Sequence, residues 1–212
     1  MKETGIIMSG DHPTSIQKNL KTMTRRTYGL EKINKNPDEY WLYDYIKDIA
    51  VFDQPSGEIV TVKCPYGQVG DLLYVKETYA IRSDGRQVLH KAGYEQIVEA
   101  LDLDNFAEQQ GLPPLNIKWK SPRFMKKEYA RIWLEIVGLR AERLQDITSL
   151  DAVNEGCPKY HEYNDKWECI KTIPPVERFH ILWDSLNAKR GYTWESNPWV
   201  WPISFKEIVK EA

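Results

Sequence analysis

The sequence predicts an α+β fold, in which five or six strands form a small curved or closed sheet flanked by three or four short helices. Short β-branched and aromatic runs bounded by turn residues recur along the chain, which is typical of strands. Other segments place apolar side chains three and four residues apart, which is typical of amphipathic helices. We expect one domain over residues 1–212, with insertions at about 81–116 and 158–172.

Composition and charge limit the classes of function. The chain has 29 basic and 31 acidic residues and a net charge of −2, which argues against tight, sequence-independent binding to long nucleic acids. Eight Trp and twelve Tyr provide flat faces that can stack on a base or fill a core. With no signal-peptide pattern and no apolar run near the ~18 residues of a membrane span, we expect a soluble, cytoplasmic protein.

Cysteine spacing predicts neither disulfides nor a metal site. Cys64, Cys157 and Cys169 are an odd number without a disulfide-framework spacing. Together with His161 they also lack the paired ligands, two to four residues apart, of structural zinc sites. We therefore expect no metal and no other cofactor.

The first elements lead to a cationic segment at residues 19–26. A buried strand is predicted over residues 5–9, and a helix from residue 14 to about residue 24. In such a helix Lys21 and Thr24, three residues apart, share one side. A lysine beside a hydroxyl can act as its base, and the neighbouring Arg25 and Arg26 would favour the neutral amine. The alternative is a solvated basic helix end.

Strands dominate the next part of the chain. Residues 40–52 predict a strand, or a hairpin with a break near residues 47–48, and residues 58–63 and 72–79 predict two further strands. Glu77 lies near the end of the last strand, where barrel pockets often open, although it can equally be a structural partner of an arginine. Residues 94–110 predict an amphipathic helix within the first insertion.

The second half contains a further candidate acid. After a loop of rings and cations at 119–125, a strand is predicted over 129–137 and a helix over 146–156, capped by Thr148 or Ser149 and ended by Gly156. Glu155 then occupies the C-terminal end of that helix, where the dipole disfavours a carboxylate, so a functional or cation-paired role competes with a tolerated surface acid. A helix beginning at 174 or 175 and a final strand over 197–209 complete the chain.

The order of these segments resembles the ASCH domain family. The resemblance is based on Lys21, Thr24 and Arg26 after an N-terminal helix, on Gly70-Asp71 before a strand, and on the strand, helix and closing strand of the second half. It implies a PUA-like small β-barrel, similar to domains that bind RNA. The segments 64–67, 76–78, 121–125 and 197–201 are similar to the larger ASCH proteins of bacteriophages and prophages.

The resemblance also implies a catalytic set. In the family motif a glycine is usual where Asn19 stands, and an acid is commonest where Thr24 stands. With threonine, the motif is similar to small bacterial ASCH proteins that hydrolyse the acetyl amide of N(4)-acetylcytidine with a lysine, a threonine and a glutamate. These residues correspond to Lys21, Thr24 and, by position along the chain, Glu155, with Glu77 as the next candidate for the acid.

The expected function is recognition of a nucleobase or nucleoside, with hydrolysis of an N-acylated cytosine nucleoside. The alternatives are a non-catalytic module for RNA or single-stranded DNA, a ribonuclease, or a phage-type protein that binds a host protein through exposed rings. The expected substrate-binding residues are Arg25, Arg26, Glu77, Tyr79, Trp119, Arg123 and Phe124.

Overall fold

The computed structural model describes residues 1–81, 88–92 and 117–210. The helix predicted over residues 94–110 and most of the first insertion lie outside these ranges. Within them the chain is α+β, with many strands and few helices. The α-helices are α1 (His12–Gln17), α2 (Ser149–Asn154) and α3 (Pro175–Asn187). The strands are β1 (Glu3–Ile7), β2 (Met23–Arg26), β3 (Trp41–Ile46), β4 (Ile49–Asp53), β5 (Val60–Lys63), β6 (Leu72–Lys76), β7 (Tyr79–Ile81), β8 (Val88–His90), β9 (Trp133–Leu139), β10 (Glu142–Arg143), β11 (Tyr160–Tyr163), β12 (Cys169–Ile173) and β13 (Trp199–Ile208).

A six-stranded half-barrel sheet organises the fold. Its strand order is β1-β6-β9-β13-β10, and β2 also pairs with β13. The pairing of β1 with β6 is parallel, and the other pairings in this sheet are antiparallel. The ten-residue β13 changes partners along its length, from β10 to β2 and β9, with a bulge between Ser204 and Phe205. Bulges bend a strand and increase its twist, which suits a curved sheet.

Smaller sheets lie beside the half-barrel. The predicted hairpin over residues 40–52 is confirmed as β3 and β4, with Lys47 at φ +58° in the turn, and β5 adds a third strand. The strands β7 and β8 form a two-stranded sheet. The insertion at residues 158–172 contains most of another hairpin, β11 with β12.

The core has two parts, one on each side of β13. The larger part contains Phe52, Leu73, Ile136 and Trp201, all fully buried. The second part packs α2 and α3 against the sheet through side chains that include Val200. The apolar side chains of alternate residues of β13, Trp199, Trp201, Ile203 and Phe205, are all buried in the larger part. Because α2 and α3 cover the sheet, the intervening residue Val200 is buried as well, so β13 is a strand with both faces covered.

The helix predicted over residues 14–24 is wrong in its second half. The helix α1 ends at Gln17, and Asn19 adopts a left-handed conformation with φ +54°. The chain then becomes extended, and Thr24 pairs with Ile203 of β13. Tertiary pairing with β13 therefore outweighs the helical spacing. Lys21 and Thr24 do not share a helix face: Lys21 precedes the strand that carries Thr24.

Candidate functional site

The candidate site is built around a buried ion pair between Lys21 and Glu155. Lys21 is 1% exposed and Glu155 is 4% exposed. The Lys21 Nζ donates to Glu155 Oε2 at 2.7 Å and to the Glu155 backbone carbonyl at 2.8 Å. Glu155 is the C-cap residue of α2, where a cation is favourable. The acid at the unfavourable helix end thus has a cationic partner, as one of the two sequence interpretations predicted.

Arg25 connects Glu155 to a second layer of charges. Its guanidinium donates to Glu142 Oε1 at 2.6 and 3.0 Å and to Asp151 Oδ2 at 3.0 Å. It also reaches Glu155 Oε1 at 3.3 Å. Arg140 donates to the same two acids, to Glu142 Oε2 at 2.6 Å and to Asp151 Oδ2 at 2.8 Å. Buried charges need such partners, so the Arg25 guanidinium is already engaged in fixing the carboxylate of Glu155.

Lys21, Thr24 and Glu155 border one cavity. The cavity has a volume of about 700 Å³ and extends between the N-terminal strands and α3. Thr24 is 4% exposed and stands on β2, which is held in the sheet by β13. The three residues come from a loop, a strand and a helix end that are far apart in sequence. The structure therefore brings together the lysine, the hydroxyl and the acid that the sequence singled out.

His12 was not predicted and lies at the same place. A second cavity of about 570 Å³ shares His12, Lys21 and Glu155 with the first. Burial, reinforced by the charges of Lys21 and Arg26, lowers the pKa of His12 to about 3. The imidazole is thus neutral near pH 7 and can donate one hydrogen bond and accept another. A single histidine at a helix start carries no spacing signature, so His12 could not be selected from the sequence.

Arg26 and Arg123, two of the predicted substrate-binding residues, also line the larger cavity. Arg26 Nη2 donates to the Ile7 carbonyl at 2.7 Å. Its buried Nε has no hydrogen-bond partner within the described residues. Burial lowers the pKa of Arg26, since desolvation disfavours its charge. An unsatisfied buried donor beside a cavity is suited to an acceptor of a bound ligand.

The rings at this cavity differ from those predicted. Tyr28 and Tyr66 line it and meet edge to face, with ring centroids 6.4 Å apart. Tyr66 belongs to the Cys64-Pro65-Tyr66-Gly67 segment, which was singled out in the sequence only for its similarity to the larger ASCH proteins. Burial raises the pKa of Tyr66, so its hydroxyl stays protonated near neutral pH and can donate a hydrogen bond.

Of the other predicted binding residues, Arg25 also lines this cavity, whereas Glu77, Tyr79, Trp119 and Phe124 do not. The Tyr79 hydroxyl donates to the Phe124 carbonyl at 3.1 Å, Phe124 is exposed, and Trp119 is half-buried.

Glu77 belongs to a different ion-pair cluster. Its carboxylate receives two hydrogen bonds from Arg131, at 2.9 and 3.0 Å, and lies 3.3 Å from His90 Nδ1. Burial opposes its charge, but the nearby His90 and the hydrogen bonds from Arg131 hold the pKa of Glu77 below its usual range. This geometry matches the structural partner of an arginine that the sequence left as an alternative. Glu155, at the cavity, is the better candidate for the acid.

Within the described residues, no group of three or more His, Cys, Asp or Glu side chains is arranged to hold a metal ion. Cys64 and Cys157 are buried free thiols, and Cys169 is an exposed one. Residues 1–81, 88–92 and 117–210 include no helix that is long and apolar enough to cross a membrane.

Comparison with known proteins identifies no relative. The chain matches no protein-family model, no curated protein and no solved structure. The functional proposal therefore depends on the cavity residues and on the resemblance seen in the sequence.

Proposed function

We propose that the chain is an amidohydrolase that removes the acyl group from an N-acylated cytosine nucleoside. The observation that carries the proposal is that Lys21, Thr24 and Glu155 border one cavity. A volume of about 700 Å³ lies within the usual range for small-molecule sites. The resemblance of the Lys21–Thr24 segment to the N(4)-acetylcytidine hydrolases supplies the substrate class.

The buried ion pair supplies both a base and an acid. Transfer of one proton from Lys21 Nζ to Glu155 Oε2, along a hydrogen bond of 2.7 Å, leaves a neutral amine beside a protonated carboxyl group. The neutral amine takes the proton of the Thr24 hydroxyl while the oxygen attacks the acyl carbon. Protonated Glu155 then gives its proton to the leaving exocyclic nitrogen, so the amide C–N bond breaks and cytidine departs.

Hydrolysis of the acyl-threonine completes the cycle. A water molecule attacks the ester carbon and loses one proton to the carboxylate of Glu155. The Thr24 oxygen leaves and is reprotonated from Lys21, which releases the carboxylic acid. Lys21 and Glu155 then hold the same number of protons as at the start, so the ion pair is regenerated. The acids and Arg25 behind Glu155 keep its carboxylate in place throughout.

The remaining cavity residues bind the base. Arg26 Nε, which lacks a partner among the described residues, donates to the ring carbonyl oxygen of cytosine. Tyr28 and Tyr66 present rings on which the base stacks. Neutral His12 donates to, or accepts from, the acyl amide.

Acetate release from N(4)-acetylcytidine tests the proposal. We expect Glu155→Gln to lower kcat by roughly 10²–10⁴-fold, the usual contribution of a general acid or base. Thr24→Val keeps the shape of the side chain and removes the nucleophile, so turnover should cease. Thr61→Val, at an exposed position of β5, is the matched control and should retain the wild-type rate. Absence of turnover by the wild type on any acylated cytidine would overturn the proposal.

A binding module without catalysis is the second candidate. The observation that favours it is the cationic lining of the cavity, where Arg26 and Arg123 have no carboxylate partner within the described residues. Fluorescence titration of single-stranded oligonucleotides at two salt concentrations distinguishes it, since phosphate contacts weaken with salt. Binding without acetate release would favour this module, and oligonucleotide fragments would indicate a ribonuclease.

A further inference from the structure

The larger cavity has two parts. We call the buried, ion-paired part with Lys21, Arg25 and Glu155 the inner end, and the more exposed, cationic part with Arg26, Arg123 and Arg190 the outer part. At the inner end, the positive charges of Lys21 and Arg25 are neutralised by Glu155 and the acids behind it. Glu155 is the sole carboxylate among the described residues that line the cavity. The other lining guanidiniums belong to Arg26, Arg123 and Arg190.

These three arginines have no acidic partner within residues 1–81, 88–92 and 117–210. Arg26 donates to a backbone carbonyl, and Arg190 makes only a long contact of 3.4 Å with the Asn187 side chain besides packing over the Tyr192 ring. Burial is the largest cause of the lowered pKa of Arg26. The like charge of the nearby Arg190 guanidinium lowers this pKa further. The net charge of the whole chain is −2, so this local excess of positive charge is a feature of the cavity.

Local backbone structure fixes the positions of Arg123 and Arg190 in the chain. Arg123 lies in the short turn Pro122–Phe124, where the Ser121 hydroxyl accepts from its amide and Lys76 Nζ donates to its carbonyl at 2.8 Å. Arg190 ends the turn that follows α3, and Gly191 at φ +85° reverses the chain directly after it. Both residues border the cavity from these turns.

We propose that the outer part of this cavity binds a phosphate group, and that a phosphate ester of the cytosine nucleoside is therefore bound more tightly than the free nucleoside. Arg123 and Arg190 meet the phosphate oxygens, while Arg26 and the tyrosines hold the base. Guanidinium groups suit phosphate oxygens because they present planar, paired N–H donors. The identity of the base in this inference rests on the proposed function, whereas the phosphate subsite rests on the arginines alone.

Calorimetric titration of the full chain with cytidine and with cytidine 5′-monophosphate tests the subsite. We expect the nucleotide to bind at least about ten-fold more tightly, the size of one charge-assisted hydrogen bond. Arg190→Gln should remove most of that ratio. Lys189→Gln deletes the same charge one residue away, at an exposed position that does not line either cavity, and should leave the ratio unchanged.

The outcomes separate this subsite from the proposed hydrolysis. Equal affinity for cytidine and its monophosphate, no binding of either, or an equal loss of the ratio in both variants would overturn the phosphate subsite, whatever the result for acetate release. Titration with a 5′-phosphorylated dinucleotide that begins with cytidine distinguishes the two sources of such a phosphate, an RNA strand and a free nucleotide. Binding as tight as that of the mononucleotide indicates the end of an RNA strand, and much weaker binding indicates a free nucleotide. Both results support the subsite.

Discussion

At the scale of single residues, the Lys21–Glu155 pair is the basis of the proposed chemistry and is also required for stability. Both side chains are almost fully buried, and a buried charge is costly unless it is paired and hydrogen-bonded. Lys21 satisfies the carboxylate and the carbonyl of the same residue. The arrangement that holds a proton in the proposed mechanism is therefore also one that the folded state needs.

A double-mutant cycle measures this requirement. Lys21→Met should lower the free energy of unfolding by about 3–5 kcal/mol, because it leaves a buried carboxylate with a weaker set of partners. The double variant with Lys21→Met and Glu155→Leu should lose clearly less free energy of unfolding than the two single variants lose together. Urea unfolding of the four proteins gives the values. Strict additivity would contradict a direct interaction between the two side chains.

His12 gives a pH dependence of stability at the residue scale. Its pKa is about 3 in the folded chain, against an ordinary value of 6.5. Between these values the unfolded state binds a proton at His12 that the folded state does not, so the free energy of unfolding falls as the pH is lowered through this window. In urea unfolding at pH 7 and pH 5, the free energy of unfolding should fall less between the two pH values in His12→Gln than in the wild type.

A second histidine provides the control for that measurement. His161→Gln removes an exposed imidazole on β11 and should keep the wild-type dependence on pH. If the free energy of unfolding depended on pH in His12→Gln and in His161→Gln as it does in the wild type, the prediction would be contradicted. His12 would then bind a proton in the folded state as readily as in the unfolded state.

At the scale of elements, α2 positions Glu155, and its cap can be tested. The Thr148 hydroxyl accepts from the Asp151 amide at 3.1 Å. Thr148→Ala should therefore lower the free energy of unfolding by about 1 kcal/mol. The neighbouring Ser149 is exposed and does not cap, so Ser149→Ala is the matched control and should change stability little. Equal losses in the two variants would show that the cap does not stabilise α2.

The elements differ in how well local sequence predicts them. The helix α2, with Thr148 as its cap and Gly156 at φ +89° after it, follows from residue chemistry that acts over a few positions. The strand β2 does not follow from local residue chemistry. Residues 14–24 have helical spacing, but β2 forms because it pairs with β13, more than 170 residues away. Lys21 and Thr24 both line the cavity, although the chain does not adopt the helical geometry for which they were singled out.

The site residues show the same division. Lys21 and Thr24 are close in sequence, so their neighbourhood is visible without a structure. His12 and Tyr66 reach the cavity only through tertiary packing, and nothing in their spacing distinguishes them from other histidines and tyrosines. The placement of Glu77 with Arg131 instead of at the cavity likewise depends on which strand ends meet in space.

At the scale of the whole molecule, charge is segregated. A net charge of −2 predicts weak attraction to long nucleic acids, yet the outer part of the cavity is lined by three arginines without acidic partners within the described residues. Composition averages over the surface and loses this information. The half-barrel supports the cavity from one side and α3 from the other, so its lining is assembled from distant parts of the chain.

The central claim is that the Thr24 hydroxyl, with Lys21 and Glu155, cleaves an acyl amide in this cavity. Proton NMR of N(4)-acetylcytidine incubated with the wild-type chain tests it most directly, because it follows substrate and both products together. We predict equimolar cytidine and acetate with the wild type, and none with Thr24→Val although this variant still binds the nucleoside. Intact N(4)-acetylcytidine after incubation with the wild type, or turnover by Thr24→Val at the wild-type rate, would contradict the claim.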